Sequence, residues 1–246
     1  MPDSQLALAA LAPIAFVAAL VYGLSGFGSA LVAIPLATHF FPLPFALAVF
    51  VLVDLSNTVR VGLEAPQHIA RAELLRIAPL IPVGTILGVT VLVNLPRAGA
   101  MLALGVFTVA FALYSLFTRG PRATVRRAWG YLAGIAGGIS SSLFGAGGPP
   151  YAIYLSHRGL SKEAFRATLS ATIGVSVTTR LIAFVVIGAM SDLRVWLAAA
   201  VALPAAWLGI SLASRVFARV SRETVLRVIA LLLLASGGSL IARALG

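Results

Sequence analysis

Long apolar stretches separated by short polar connections run along almost the whole chain. They cover residues 6–40, 43–63, 76–95, 98–118, 129–157, 164–190, 195–214 and 224–245. A helix that crosses the hydrocarbon core of a bilayer needs about 20 apolar residues, and six of these segments meet that requirement. The pattern predicts an all-α membrane protein and excludes an ordinary soluble globule.

The two remaining segments are longer, and glycine interrupts each of them. The interruptions are residues 23–29, Gly-Leu-Ser-Gly-Phe-Gly-Ser, and residues 145–150, Gly-Ala-Gly-Gly-Pro-Pro. Glycine and proline break helices and free backbone N–H and C=O groups. At membrane depth, such groups are tolerated only where they face protein or a polar cavity. We therefore interpret both segments as discontinuous helices that line a site; two ordinary kinked helices are the alternative.

The interruptions fall at corresponding places in two halves of the chain, residues 1–118 and 126–246. Four landmarks recur in order, at offsets of 119 to 122 residues: Gly26 with Gly145, Arg60 with Arg180, Pro82 with Pro204, and Gly88 with Gly209. Each half then holds one broken segment and three spanning helices. The sequence predicts one transporter domain built from two pseudo-symmetric four-segment repeats.

Composition agrees with this class, because 60% of the residues are hydrophobic and 10% are charged, against about 25% charged in soluble domains. The net charge is +11, from 18 basic and 7 acidic residues. In a soluble protein this charge would indicate nucleic acid. Here we attribute it to the basic loops that orient membrane proteins, and we expect the bilayer, not nucleic acid, as partner.

The distribution of basic residues favours one topology. If all eight segments cross, the loops on the two sides carry eight basic residues each. If the broken segments are re-entrant hairpins, 13 basic residues lie on one side and three on the other. That arrangement has six crossings, inverted halves and both termini outside. We expect a multi-pass protein of the cell membrane, the inner membrane in a bacterium; association of identical chains stays open.

Two arginines and two acids within the apolar segments are the candidates for chemistry. Arg180 precedes ten apolar or small residues that reach Met190, which places its charge near the middle of the bilayer. Such a charge is costly unless it is paired or solvated, so it marks a functional site. Arg60 is its counterpart in the first half and either binds substrate or pairs with Glu64 at the membrane edge. Asp54 is a candidate partner of a buried arginine, a proton-coupling group, or both.

These residues and the two interruptions together predict an anion site. The start of a half-helix offers free N–H groups and the positive end of a dipole, and arginine offers a fork of donors that matches an oxyanion. The predicted ligands beside Arg60 and Arg180 are Ser25, Gly26, Gly28, Ser29, Ser56, Asn57, Thr58, Gly145, Gly147, Gly148, Ser176 and Thr178. The chain has no cysteine and three scattered histidines, His39, His68 and His157, so neither a metal site nor a cofactor is predicted.

The sequence resembles the sulfite exporter TauE/SafE family of permeases. The resemblance is carried by residues 26–36, Gly-Phe-Gly-Ser-Ala-Leu-Val-Ala-Ile-Pro-Leu, and by the motif at residues 145–150. It implies transport of sulfite, sulfonates or related organic anions. By the same resemblance, Gly26, Gly28, Gly145 and Gly147 belong to the site, and the helix-breaking prolines are Pro35, Pro149 and Pro150.

We therefore predict a secondary transporter for a small oxyanion or organic sulfur anion, working by alternating access. An anion channel is the alternative. A membrane-embedded enzyme is not predicted, because the three separated histidines supply no acid, base or metal cluster at membrane depth. Gly84-x-x-x-Gly88 and Gly134-x-x-x-Gly138 carry the spacing that is typical of close helix packing.

Overall fold

The computed structural model describes residues 4–64, 66–117, 124–216 and 222–245. In these ranges the chain forms helices joined by short turns, and none of the described residues forms a strand. The helices are α1 (Ser4–Ser25), α2 (Ser29–Ala37), α3 (Leu43–Glu64), α4 (Arg71–Ile77), α5 (Ile81–Asn94), α6 (Arg97–Phe117), α7 (Trp129–Phe144), α8 (Gly148–Ser156), α9 (Lys162–Val186), α10 (Leu193–Val216) and α11 (Arg222–Leu245). The predicted all-α class is confirmed.

Within the described ranges, six stretches are long and apolar enough to cross a membrane. They lie in α1, in α3, in α4 with α5, in α6, in α9 and in α10. The protein is therefore a multi-pass membrane protein. The number of crossings, the duplication into two halves and the outside position of the termini stay predictions; Met1 to Asp3 and Gly246 lie outside the described residues.

One predicted segment ends earlier in the structure than in the sequence analysis. The apolar run at 164–190 predicts a helix to Met190, but α9 ends at Val186. The chain then turns at Gly188, whose φ is 76°, a backbone region that favours glycine. Arg180 therefore lies six residues before the end of its helix.

The second broken segment forms a hairpin of α7 and α8, called here the second hairpin. The hydroxyl of Tyr154, near the end of α8, donates to the carbonyl of Arg127, before α7, at 3.3 Å. The guanidinium of Arg158 donates to the carbonyl of Val125 at 2.9 Å. Because these contacts join the two ends of the segment, the chain leaves α8 on the side where it entered α7.

The first broken segment, α1 and α2, is called the first hairpin. α1 runs parallel to α10, since Gly209 packs on Phe16 and Gly23 packs on Ala213. α3 also runs parallel to α10, because Ser56 contacts Trp207 and Arg60 contacts Ser211. α2 runs the opposite way, because its first residue, Ser29, bonds Asp54 in the middle of α3 and its end leads directly to the start of α3.

Glycines bring α5 and α7 together, as their spacing predicts. The backbone of Ile135 lies directly against Gly84, and the backbone of Ile81 lies directly against Gly138, so neither glycine has room for a Cβ atom. Close approach through small residues is a general way in which membrane helices pack. This contact fixes the second hairpin to the long helix pair α4 and α5.

Corresponding helices of the two predicted halves meet in antiparallel pairs. In the pair α3 and α9, Asp54 contacts Arg180 and Thr58 contacts Gly174. In the pair α6 and α11, Gly105 lies against Ile241 while Val109 lies against Gly237. An inverted repeat would place equivalent helices in this way.

Basic residues collect at one end of the molecule, formed by residues 66–76, 124–130 and 154–166 and called here the basic face. Its centre is the carboxylate of Glu73, which lies 3.0 Å from both Arg76 and Arg158 and accepts a hydrogen bond from Tyr154. Arg119, Arg122 and Arg219 lie outside the described residues. The assignment of this face to the cytoplasm stays a prediction.

Candidate functional site

The first hairpin turns at two glycines in the left-handed region. Gly26 has a φ of 80° and Gly28 a φ of 92°, values that other residues adopt only with strain. The hydroxyl of Ser25 stabilises the turn, since it lies 2.8 Å from the carbonyl of Val21 and 2.5 Å from that of Phe27. Ser25 thus contacts its own turn in this structure.

The second hairpin turns at Gly145, whose φ is 71°. The backbone N–H groups of Gly145 and Ala146 donate to the carbonyls of Ser141 at 2.9 Å and Ser140 at 3.1 Å, which closes α7. A Cβ atom on Gly145 would lie 2.8 Å from the Cβ atom of Ala30. Gly145 is therefore one of the places where the two hairpins touch.

A narrow cavity lies between the two hairpins. The starts of α2 and α8 both face it, and a helix start carries free N–H groups and a partial positive charge. α3 and α9 form further walls. The residues that line the cavity are Tyr22, Gly28, Ser29, Ala30, Leu31, Asp54, Ser141, Gly145, Ala146, Gly147, Gly148, Pro149, Ile173, Ser176 and Val177.

A buried ion pair lies at this cavity. The Arg180 side chain is 0% exposed and its Nη2 atom lies 2.8 Å from Oδ2 of Asp54, whose side chain is 3% exposed. Nη1 of Arg180 donates to the carbonyl of Ser141 at 2.9 Å. Among the described residues, Nε of Arg180 has no hydrogen-bond partner. An unsatisfied buried donor is costly, and an anion oxygen is a group that would satisfy it.

Hydroxyl groups complete the walls of the cavity. Ser29 donates to Oδ1 of Asp54, and Tyr151 of α8 donates to Ser176 of α9 at 3.1 Å. Tyr22 of α1 lies 3.1 Å from the hydroxyl oxygen of Ser170. The cavity is therefore lined by one carboxylate, hydroxyls and two helix starts, and the cation Arg180 lies directly behind Asp54 and Ser141. This is a suitable combination for a small oxyanion.

The structure brings many of the predicted site residues to this cavity. The residues that line it are Gly28, Ser29, Asp54, Gly145, Gly147, Gly148, Pro149 and Ser176. Arg180 is not in the lining and reaches the cavity through its contact with Asp54. Thr58 lies beside them through a 3.3 Å contact with the hydroxyl of Tyr22. Gly26 faces Arg166 instead.

Arg60 and Ser56 point toward α10 and do not line the cavity. Arg60 donates to the carbonyl of Trp207 at 3.2 Å and to the hydroxyl of Ser211 at 2.8 Å. Ser56 accepts a 2.6 Å bond from Nε1 of Trp207. The two arginines share a sequence motif but lie in different surroundings, because α3 and α9 present this motif to different neighbours.

The remaining predicted residues are scattered. Thr178 is exposed on α9, and Asn57 is 0% exposed with no partner for its amide among the described residues. Pro35 lies inside α2 and Pro150 in the first turn of α8. The side chain of Glu64 lies outside the described residues, so its pairing with Arg60 stays a prediction.

Two polar residues that line the cavity, Tyr22 and Ser141, were not predicted. Tyr151, which donates to Ser176 of the lining, was not predicted either. A signal for the tyrosines exists, since the chain has only five of them and these two flank the interruptions. Tyr22 precedes Gly26 by one helical turn, and Tyr151 directly follows Pro150. Ser141 contributes a backbone carbonyl, which no side-chain motif can indicate.

Comparison with known proteins identifies the family. The chain matches the family model described as Sulfite exporter TauE/SafE over residues 11–240, and it belongs to that family. A search of curated proteins finds no match, and a search of solved structures finds none. The predicted resemblance is confirmed.

Membership defines the class of activity. The family is one of membrane transporters, associated with the export of sulfite and related anions. An anion channel is therefore not favoured. Arg180, Asp54 and the two helix starts are the elements of this chain from which an anion site can be built.

Proposed function

We propose that this protein is a secondary transporter of a small oxyanion or organic sulfur anion, such as sulfite or a sulfonate, and that it works by alternating access. The observation that carries the proposal is the Arg180 side chain, which is 0% exposed within an apolar helix long enough to span a membrane and lies next to a cavity that faces two helix starts. A charge in such a place is retained for function. The substrate anion binds the Arg180 guanidinium and the N–H groups at the start of α2.

The charge balance of the site supports proton coupling. Arg180 and Asp54 form a neutral pair at 2.8 Å, so a bound anion would leave a net negative charge in a buried place. Burial of an uncompensated charge is costly. If Asp54 takes up a proton when the anion binds, Arg180 is released to the anion and the site stays neutral. Coupling to protons through Asp54 follows, with Glu64 as the other predicted acid.

Thermal stabilisation of the purified protein by a panel of anions tests the binding site. We compare sulfite, an alkyl sulfonate, sulfate, phosphate and chloride; a ligand at about 100 times its Kd stabilises the folded state by about 2.7 kcal/mol. We expect sulfite or the sulfonate to stabilise the wild type. Arg180→Ala should abolish that stabilisation, because it removes the cation.

Two further variants make the result decisive. Arg60→Ala removes the corresponding arginine of the first half, which contacts α10, and should keep the stabilisation. The double variant Asp54→Asn with Arg180→Gln leaves no unpaired charge, so it should fold and yet not bind. Full stabilisation of that double variant contradicts the proposed site. Anion flux without counterflow exchange in liposomes would indicate a channel.

A further inference from the structure

Tyr22 occupies a distinctive place in the wall of the cavity. Its side chain is 1% exposed and is among the largest fully buried side chains of the described residues. Its hydroxyl oxygen lies 3.1 Å from that of Ser170 on α9 and 3.3 Å from that of Thr58 on α3. One side chain thus joins α1 to both helices that carry the ion pair.

These contacts lie between the ion pair and the basic face. Thr58 is one turn after Asp54 on α3, and Ser170 is ten residues before Arg180 on α9. Because α3 and α9 run antiparallel, both partners of Tyr22 are displaced from the ion pair in the same direction. That direction is toward the start of α9, which belongs to the basic face.

Arg166 lies beyond Tyr22 on the same route. Its Nη2 atom donates to the carbonyl of Gly23 at 3.2 Å, and its Cγ atom lies next to Gly26 at the turn of the first hairpin. Arg166 and Arg180 are 14 residues apart on α9, a distance of about 21 Å along the helix axis. The partner of Tyr22 on α9, Ser170, lies between these two arginines.

Three residues in the lining of the cavity are almost fully buried. Tyr22, Ser176 and Val177 are 1%, 1% and 2% exposed. On the side away from the basic face, the ion pair of Asp54 and Arg180 joins α3 to α9. On the other side, the hydroxyl contacts of Tyr22 join α1 to the same two helices.

We propose that Tyr22 is the gate between the anion cavity and the basic face, and that loss of its contacts with Ser170 and Thr58 opens a path along α9 to Arg166. The gate rests on the proposed function, since it controls access to that anion site. Its opening leaves Thr58 satisfied, because the hydroxyl of Thr58 also donates to the carbonyl of Asp54 at 2.6 Å. A gate held by two hydroxyl contacts is suited to reversible opening.

Thiol accessibility tests the gate directly. The chain has no cysteine, so Val177→Cys introduces a single reporter thiol at the cavity. A small, membrane-impermeant methanethiosulfonate is added to one face or the other of the full-length protein, oriented in liposomes without substrate. We expect Tyr22→Phe to accelerate labelling from the basic face by roughly five- to thirtyfold, the effect of one or two net hydrogen bonds.

Matched variants separate the gate from a general loosening of the fold. Ser170→Ala removes one partner and leaves Tyr22 in place, so it should also accelerate labelling from the basic face. Tyr114→Phe makes the same change of one atom on α6, where Tyr114 stacks on Phe111, and should leave labelling unchanged. Labelling from the opposite face should not change in any of the three.

Unchanged labelling of both Tyr22→Phe and Ser170→Ala from the basic face would overturn the gate. Equal acceleration from both faces would overturn it as well, because a structural role predicts that outcome. The result is independent of the proposed function, since no anion is present during labelling. If no anion stabilises the protein but labelling is still accelerated from the basic face alone, the substrate proposal is contradicted and the gate is kept. If anions stabilise the protein but labelling is not accelerated from that face alone, only the gate is contradicted.

Discussion

The two hairpins face the same cavity but supply different chemistry. α2 starts with Ser29, Ala30 and Leu31, and each of these residues has a backbone N–H group without a partner inside the helix. α8 starts with Gly148, Pro149 and Pro150, and proline has no N–H group. The first hairpin can therefore donate three backbone hydrogen bonds, whereas the first three residues of α8 can donate only one.

The charged groups are divided in a matching way. Asp54 is bonded to Ser29 at the start of α2, and Arg180 is bonded to the carbonyl of Ser141 just before the turn of the second hairpin. The ion pair is the electrostatic contact between these two sides. Two halves that share a sequence pattern need not share a function, and here one half offers donors and a carboxylate while the other offers the cation.

Of the changes proposed here, loss of the Asp54 carboxylate should have the largest effect on stability and on anion binding. Asp54→Asn leaves Arg180 buried without its 2.8 Å partner, and removal of one member of a buried pair costs about 3–5 kcal/mol. We expect lower thermal stability without anion and a larger stabilisation by sulfite than in the wild type, because the anion replaces the lost charge. Thermal unfolding at several sulfite concentrations measures both effects.

The same variant tests proton coupling. Wild-type uptake into liposomes should respond to an imposed pH gradient, and Asp54→Asn should remove that response while binding is kept. Glu64→Gln is the matched variant for the other predicted acid. If both variants keep the full response to the gradient, proton coupling through these residues is wrong.

Alanine at the turns compares the two hairpins sterically. Gly28 and Gly145 both have positive φ, so alanine costs about 1–2 kcal/mol at either position. At Gly28 the nearest atom to a new Cβ lies 3.7 Å away, whereas at Gly145 the Cβ of Ala30 lies at 2.8 Å. We expect overpacking in Gly145→Ala to lower the free energy of unfolding by about a further 1–3 kcal/mol, measured by thermal unfolding.

Gly159→Ala is the control for backbone strain alone, since Gly159 has a φ of 62° and open space around its Cβ position. It should resemble Gly28→Ala. If Gly28→Ala and Gly145→Ala lose the same stability, the hairpins are not in close steric contact at Gly145.

The helices and both turns could be predicted because their signals are local. Apolar length predicts a membrane helix, and the glycines at residues 26–28 and 145–147 interrupt the apolar runs where the structure breaks. The depth of Arg180 in the membrane stays a prediction. The end of α9 was misplaced, because the apolar residues 187–190 continue the pattern while Gly188 turns the chain. The start of the third segment was misplaced too, since α4 begins at Arg71, before the apolar run at 76–95.

The surroundings of the site residues could not be predicted in the same way. Arg60 and Arg180 occupy equivalent positions in one motif, yet the rotation of each helix about its axis decides which neighbour an arginine meets. Arg60 forms hydrogen bonds with Trp207 and Ser211 of α10, and these partners can be identified only from the packed structure. Tyr22 was missed because its importance depends on three helices that meet in space.

The smallest expected effect tests the cause of the difference between the hairpins. Pro149→Ala adds a backbone N–H group at the start of α8, where Pro149 lines the cavity. Proline is well tolerated in the first turn of a helix, and alanine is too, so the fold should be kept. If missing N–H groups make α8 the weaker anion binder, the new donor should tighten sulfite binding by about two- to tenfold, the effect of one net hydrogen bond.

Pro150→Ala adds an N–H group one residue further on and does not change the lining, so titration of both variants separates a donor at the cavity from a general change in α8. Equal tightening, or none, would mean that the difference between the hairpins arises from their charged neighbours, Asp54 and Arg180, and not from their prolines.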